Sequence, residues 1–142
     1  MRTLTRVGVT FLVAQALSSA AAWACSCAGD TLSAEEKLGA FETVFVGTVR
    51  GHRSGCDANP FSESSLEPTY FTLEVSRAFK GVAVGDNVEI ETASDGASCG
   101  VDFEIGDSWL IYTNDGTYGL CDPGGEAAEV ADEIADLEAL SE

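Results

Sequence analysis

The sequence predicts a mainly β domain, a small five-stranded barrel with a short helix near each end. Five segments are rich in β-branched and aromatic residues and are bounded by turn-forming residues, which is typical of short strands. Two further segments, one before the first strand and one after the last, space their apolar residues as helices do. A β-sandwich normally needs about seven strands, whereas the oligonucleotide/oligosaccharide-binding (OB) barrel has five.

The first 24 residues have the three parts of a secretory signal peptide. Arg2 and Arg6 give a positive start, and residues 7–17 form an apolar run. Ala22 and Ala24 are the small residues of the cut site. The run is short for a membrane span, which needs ~20 residues, so we expect cleavage rather than an anchor helix. The signal peptide is therefore 1–24, and the mature domain, 25–142, begins at Cys25 and is secreted or periplasmic. The alternative is a lipid anchor on Cys25, as in bacterial lipoproteins.

The elements of the mature domain follow from local patterns. Residues 31–42 predict a short helix, because Ser33 and Glu36 have the spacing of a capping box. Five segments are predicted to be strands, because their apolar residues either alternate with polar ones or form a short continuous run: 43–50, 69–79, 87–92, 108–114 and 117–121. Asp115-Gly116 between the last two is a hairpin signal.

The predicted C-terminal helix, 126–140, carries Val130, Ile134 and Leu137 along one stripe. Its other positions are largely acidic, so we expect the stripe to pack on the barrel and the rest to face solvent. Residues 51–68 have the composition of a long loop.

All five cysteines, Cys25, Cys27, Cys56, Cys99 and Cys121, follow the signal peptide, so export permits disulfides. Cys25 and Cys27 point the same way in an extended segment, which suits them to bridging two neighbouring strands rather than each other. We expect them to pair with Cys99 and Cys121, in an order that spacing alone leaves open. Cys56 is then a spare thiol or pairs with a second chain.

The mature chain is strongly acidic. It keeps all 24 acidic residues and only five of the seven basic ones, a formal net charge of −19. Such a surface repels nucleic acid and anionic membranes, and no mature segment is apolar enough to span a bilayer. A cationic partner and a salt-rich medium both agree with this charge.

The residues for common enzyme chemistries are missing. His52, in the predicted loop, is the only histidine, so a catalytic triad or a histidine metal site cannot be assembled. Cys25-Ser26-Cys27 has one residue between its cysteines, whereas redox dithiols usually have two. We therefore predict a protein that is not an enzyme and has no cofactor of its own.

Several segments occur in an order that resembles the tissue inhibitors of metalloproteinases, in particular their N-terminal, netrin-like domain. They are Cys-X-Cys at the mature start, VFVGTV, YFTLEVSRAFKG, GDNVEI, SCG, FEIGDSWLIY and YGLC. The resemblance covers nearly all of 25–122. It is greatest to the short bacterial members, which carry the inhibitory domain alone.

The resemblance implies an OB barrel with two disulfides, Cys25–Cys99 and Cys27–Cys121. It also implies that the partner is a zinc metalloendopeptidase, whose catalytic zinc is bound by the free α-amine and the carbonyl oxygen of Cys25. This agrees with zinc chemistry, because a catalytic zinc keeps an open position and an α-amine, with a pKa of ~7.7–8.0, readily releases its proton to a metal.

By the same resemblance Ser26 enters the S1′ pocket of the protease. The surface that contacts the protease, which we call the ridge, is completed by two short stretches. One is Cys27 and Ala28, and the other is Ala97, Ser98 and Cys99. Netrin-like modules also occur in proteins that inhibit nothing, because a fold does not determine a function. The alternative is therefore a non-inhibitory binding or structural module of the cell envelope.

Overall fold

The computed structural model describes residues 27–54, 68–94 and 99–141. The predicted signal peptide, Cys25, Ser26, Cys56, Ala97 and Ser98 lie outside these ranges. The elements, in chain order, are α1 (Ala34–Ala40), β1 (Thr43–Ser54), β2 (Thr69–Lys80), β3 (Asn87–Thr92), β4 (Ser108–Thr113), β5 (Gly124–Glu126) and α2 (Ala131–Leu140).

The strands form one antiparallel sheet in the order β3-β2-β1-β4-β5. This confirms the prediction of a mainly β domain with five strands and two short helices. Over the part of the chain that the structure describes, the sheet is not closed into a barrel. An isolated parallel bridge between Glu91 and Thr117 does link β3 to the chain that follows β4.

The prediction of a fifth strand at 117–121 was wrong. The turn itself forms, with Gly116 at φ 82° and Asp115 accepting hydrogen bonds from Thr117. The chain then runs toward β3 instead of returning along β4, because the N–H of Tyr118 donates to Glu91 and its ring is buried. β5 forms later, at Gly124–Glu126, and pairs with β4.

Other boundaries shift by a few residues. β1 continues through 51–54, so His52 lies on a strand, with its ring 5.7 Å from that of Phe71, and not in a loop. α2 begins five residues later than predicted, because 127–129 form a turn. The capping box at the start of α1 is confirmed by reciprocal bonds between Ser33 and Glu36.

Both faces of the sheet are covered, which explains why β1 is apolar at consecutive positions. Alternate residues of a strand point to opposite faces. One face carries a cluster that includes Phe45, Leu73 and Ile111, joined by Phe103 and Tyr118 from outside the strands.

The other face carries the second cluster, in which helix residues pack on the sheet. Leu110 and Tyr112 of β4 contact Ile134 and Leu137 of α2. The predicted apolar stripe of the C-terminal helix is therefore confirmed, and α2 covers this face beside α1.

The buried glycine of β1 gives a test of the core. An alanine Cβ at Gly47 would lie 2.8 Å from Cε2 of Phe45 and 3.0 Å from Cβ of Leu73, and both of these side chains are fully buried. We expect Gly47→Ala to lower the free energy of unfolding by about 1–3 kcal/mol in a urea titration, because a packed core resists added volume. The matched control is Gly51→Ala on the same strand, where a Cβ meets nothing within 4 Å. Equal stability of the two variants would contradict this packing.

Candidate functional site

Three residues of the predicted ridge, Cys27, Ala28 and Cys99, lie within the described ranges; the others do not. Cys27 is joined to Cys121 by a disulfide that spans 94 residues, with the two Cα atoms 5.2 Å apart. This is the pairing that the resemblance implied. Cys99 is also disulfide-bonded, and its expected partner, Cys25, lies outside the described part of the chain.

Cys99 contacts the same stretch of chain to which Cys27 is bonded. Its carbonyl accepts a hydrogen bond of 2.9 Å from the N–H of Leu120, the residue directly before Cys121. The loop there is braced, since the carboxylate of Asp122 accepts a 2.7 Å bond from the N–H of Gly119. The two separate ridge stretches therefore meet at residues 119–121.

The backbone of Cys99 is held in an unfavourable conformation. Its φ of 62° lies in the left-handed region, which is strained by roughly 1–3 kcal/mol for a residue with a Cβ and persists only where the surroundings enforce it. Here the surroundings include its disulfide and the Leu120 hydrogen bond. Strain of this kind is concentrated at binding and catalytic sites.

A groove of about 700 Å³ is lined by residues 27–32 and 120–124. Leu32 and Leu120, each about half exposed, both line it. Lys37 and Glu133 also line it, so charged groups lie close to the exposed N-terminal segment.

A buried lysine connects this segment to the body of the domain. Lys37 of α1 is only 5% exposed and forms ion pairs with Asp30 and, at 2.8 Å, with Glu133 of α2. Its Nζ lies 5.8 Å from the centre of the Tyr112 ring, and the Tyr112 hydroxyl donates a 2.6 Å bond to Glu133. We call Asp30, Lys37, Tyr112 and Glu133 the Lys37 cluster.

The pKa values in the Lys37 cluster follow from burial and pairing. Burial disfavours the charged form of Lys37, but its bonds to Asp30 and Glu133 outweigh this effect and raise its pKa. Burial likewise opposes ionisation of Asp30, yet Lys37 and the N–H of Leu32 hold its pKa below the usual value. Burial, followed by the bond to Glu133, raises the pKa of Tyr112 and keeps its hydroxyl a donor.

The Lys37 cluster was not predicted from the sequence, although a signal was present. Ala34, Leu38 and Phe41 mark the apolar side of α1, and Lys37 lies within that stripe. A lysine on the buried side of a short helix needs carboxylate partners, which here are Asp30, shortly before the helix, and Glu133, 96 positions along the chain.

The remaining basic residues of the described chain are also engaged. Lys80 donates a hydrogen bond to the carbonyl oxygen of Leu38. Three arginines form ion pairs with glutamates: Arg50–Glu74, Arg53–Glu89 and Arg77–Glu138. The surplus charge of the surface is therefore negative, which favours association with a positively charged partner.

Within the described ranges, no group of three or more His, Cys, Asp or Glu is arranged to hold a metal ion, and none of the helices there has the length and apolarity to cross a membrane. No protein-family model and no curated protein matched the sequence.

Proposed function

We propose that the protein is a secreted OB-fold inhibitor of zinc metalloendopeptidases. The observation that carries this proposal is the meeting of two sequence-distant stretches, at Cys27 and at Cys99, on residues 119–121. The inhibitory ridge implied by the resemblance needs this juxtaposition. The left-handed backbone of Cys99 also supports the proposal, because strain of this kind is concentrated at binding sites.

The closed barrel is part of the proposal. Its support is the parallel bridge between Glu91 and Thr117, which brings β3 alongside the chain after β4. The register of β1 on β2 also shifts at three points, and such bulges bend a strand and increase its twist. Both features favour the curvature that a small barrel needs.

The proposed mechanism uses the mature N-terminus. The α-amine and carbonyl oxygen of Cys25 bind the open position of the protease zinc, and the side chain of Ser26 enters the S1′ pocket. Cys27 and Ala28, both exposed, continue the contact along the protease cleft. Because Cys27 is covalently held, this stretch loses little conformational entropy on binding.

The test is inhibition of a panel of zinc endopeptidases by the secreted, mature protein. We expect at least one member to be inhibited at one-to-one stoichiometry, and we expect acetohydroxamate, a small zinc ligand, to compete with the protein. A serine protease is the control and should remain active. If no zinc enzyme is inhibited, the non-inhibitory binding module becomes the better explanation.

A further inference from the structure

The exposed segment of residues 27–30 is fixed at both ends. At one end the disulfide joins Cys27 to Cys121, and at the other the carboxylate of Asp30 pairs with Lys37. Between these points Ala28 is exposed, and a Cβ at Gly29 would meet nothing within 4 Å. The middle of the segment therefore has no packing of its own, and its position depends on the two anchors.

The second anchor is itself rigidly held. Lys37 contacts Glu133 of α2, and Glu133 accepts a hydrogen bond from the fully buried Tyr112 of β4. A chain of contacts thus runs from the sheet through Glu133 and Lys37 to Asp30, whose Oδ1 also accepts from the N–H of Leu32.

This arrangement differs from the other ion pairs of the domain. The side chain of Lys37 is 6% exposed and that of Asp30 is 40% exposed, whereas those of Arg77 and Glu138 are 53% and 52% exposed. Exposed pairs are weak and are screened by salt. When a buried lysine loses a carboxylate from its ion pair, water cannot easily take the place of that carboxylate. Lys37 therefore provides a fixed point of attachment for a segment that is otherwise open to solvent.

We propose that Lys37 is a positioning residue, which holds residues 27–30 through Asp30 in the arrangement that a partner protein binds. The role in inhibition rests on the proposed function, while the anchoring itself does not. With Asp30 released, the chain between Cys27 and α1 samples many conformations, and binding must order it again. The expected consequence is weaker inhibition with an intact fold.

The experiment compares Asp30→Ala, Lys37→Met and their combination in the full mature protein. Backbone ¹⁵N order parameters of Ala28 and Gly29 report the segment directly. We expect them to fall from about 0.85, typical of rigid backbone, to below about 0.6. Inhibition should weaken about tenfold in each single variant. The double variant should inhibit about as well as the singles, because both changes break the contact between Lys37 and Asp30 that attaches the segment to the body of the domain.

The matched control is Asp86→Ala. Asp86 accepts a 2.9 Å bond from the N–H of Ala83 in the turn between β2 and β3, so it also braces an exposed segment. It should change neither the order parameters of residues 28 and 29 nor inhibition. Should Lys37→Met not fold, Asp30→Ala carries the test alone, since it leaves Lys37 paired with Glu133.

The outcomes separate this inference from the proposed function. Unchanged order parameters in Asp30→Ala overturn the anchoring. Increased mobility with undiminished inhibition overturns the role of anchoring in binding. If the unmodified protein inhibits no zinc endopeptidase while the order parameters fall as expected, the proposed function fails and the anchoring stands.

Discussion

Placing one alanine ahead of Cys25 should weaken inhibition of a susceptible zinc endopeptidase by at least about 100-fold, or roughly 3 kcal/mol. The extension converts the α-amine of Cys25 into an amide, which is a poor zinc ligand, and it inserts a residue into the protease cleft. The fold should be unaffected, since the added residue precedes the first predicted disulfide. The free energy of unfolding should therefore change by no more than about 0.5 kcal/mol.

Acetylation of the α-amine is the companion to this variant, because it removes the ligand without adding a residue. The reaction can be made selective near pH 6.5, since an α-amine has a pKa of ~7.7–8.0 and a lysine ~10.4. Lys37 is further protected, because it is buried and its ion pairs raise its pKa. Mass spectrometry of the N-terminal peptide establishes where the acetyl group lies.

The two modifications distinguish zinc binding from a contact made by the ridge alone. If the extended protein inhibits as strongly as the native one, chelation by Cys25 is wrong. If extension abolishes inhibition and acetylation leaves it unchanged, the loss comes from steric obstruction of the cleft, and the amine is not a zinc ligand. The control is an alanine added after Glu142, at the opposite end of the chain, which should leave inhibition unchanged.

The local part of the fold could be predicted from the sequence because its signals are local. Ser33 and Glu36 lie one helical turn apart, and the alternation of Phe71, Leu73 and Val75 directly reports one buried face of β2. The limits of β3 followed for the same reason, from a short run between turn residues. The pairing of Cys27 with Cys121 came from the resemblance and not from spacing.

The missed features depend on contacts between distant residues. The Asp115-Gly116 signal specifies a turn, but whether Thr117 then pairs with β4 or with Glu91 depends on where Tyr118 is buried. Lys37 and Glu133 are 96 positions apart, so no local window contains the cluster. Burial of a charge is decided by its partners, and those partners become neighbours only when the sheet has brought both helices to one face.

Removing the disulfide between Cys27 and Cys121, as Cys27→Ser together with Cys121→Ser, should have the largest effect on stability. The bond closes a loop of 94 residues, for which the chain-entropy model gives a stabilisation of about 4–5 kcal/mol. Both cysteines are exposed, so serine at either position buries no unpaired hydroxyl. The double variant is preferred over either single one, since a lone thiol could exchange with the remaining disulfide.

The loss can be measured by urea unfolding followed through Trp109, the one tryptophan that remains after the predicted cleavage. Its ring packs 4.8 Å from Phe103 in the core, so its emission reports the folded state. Cys56→Ser is the control and should leave the transition unchanged, because we expect no disulfide of the monomer to include Cys56. Non-reducing peptide mapping of the unmodified protein should find Cys27 linked to Cys121 and Cys25 linked to Cys99, and a bridge that includes Cys56 would contradict this expectation. A double variant within about 1 kcal/mol of the parent would contradict this estimate of the stabilisation that the disulfide provides.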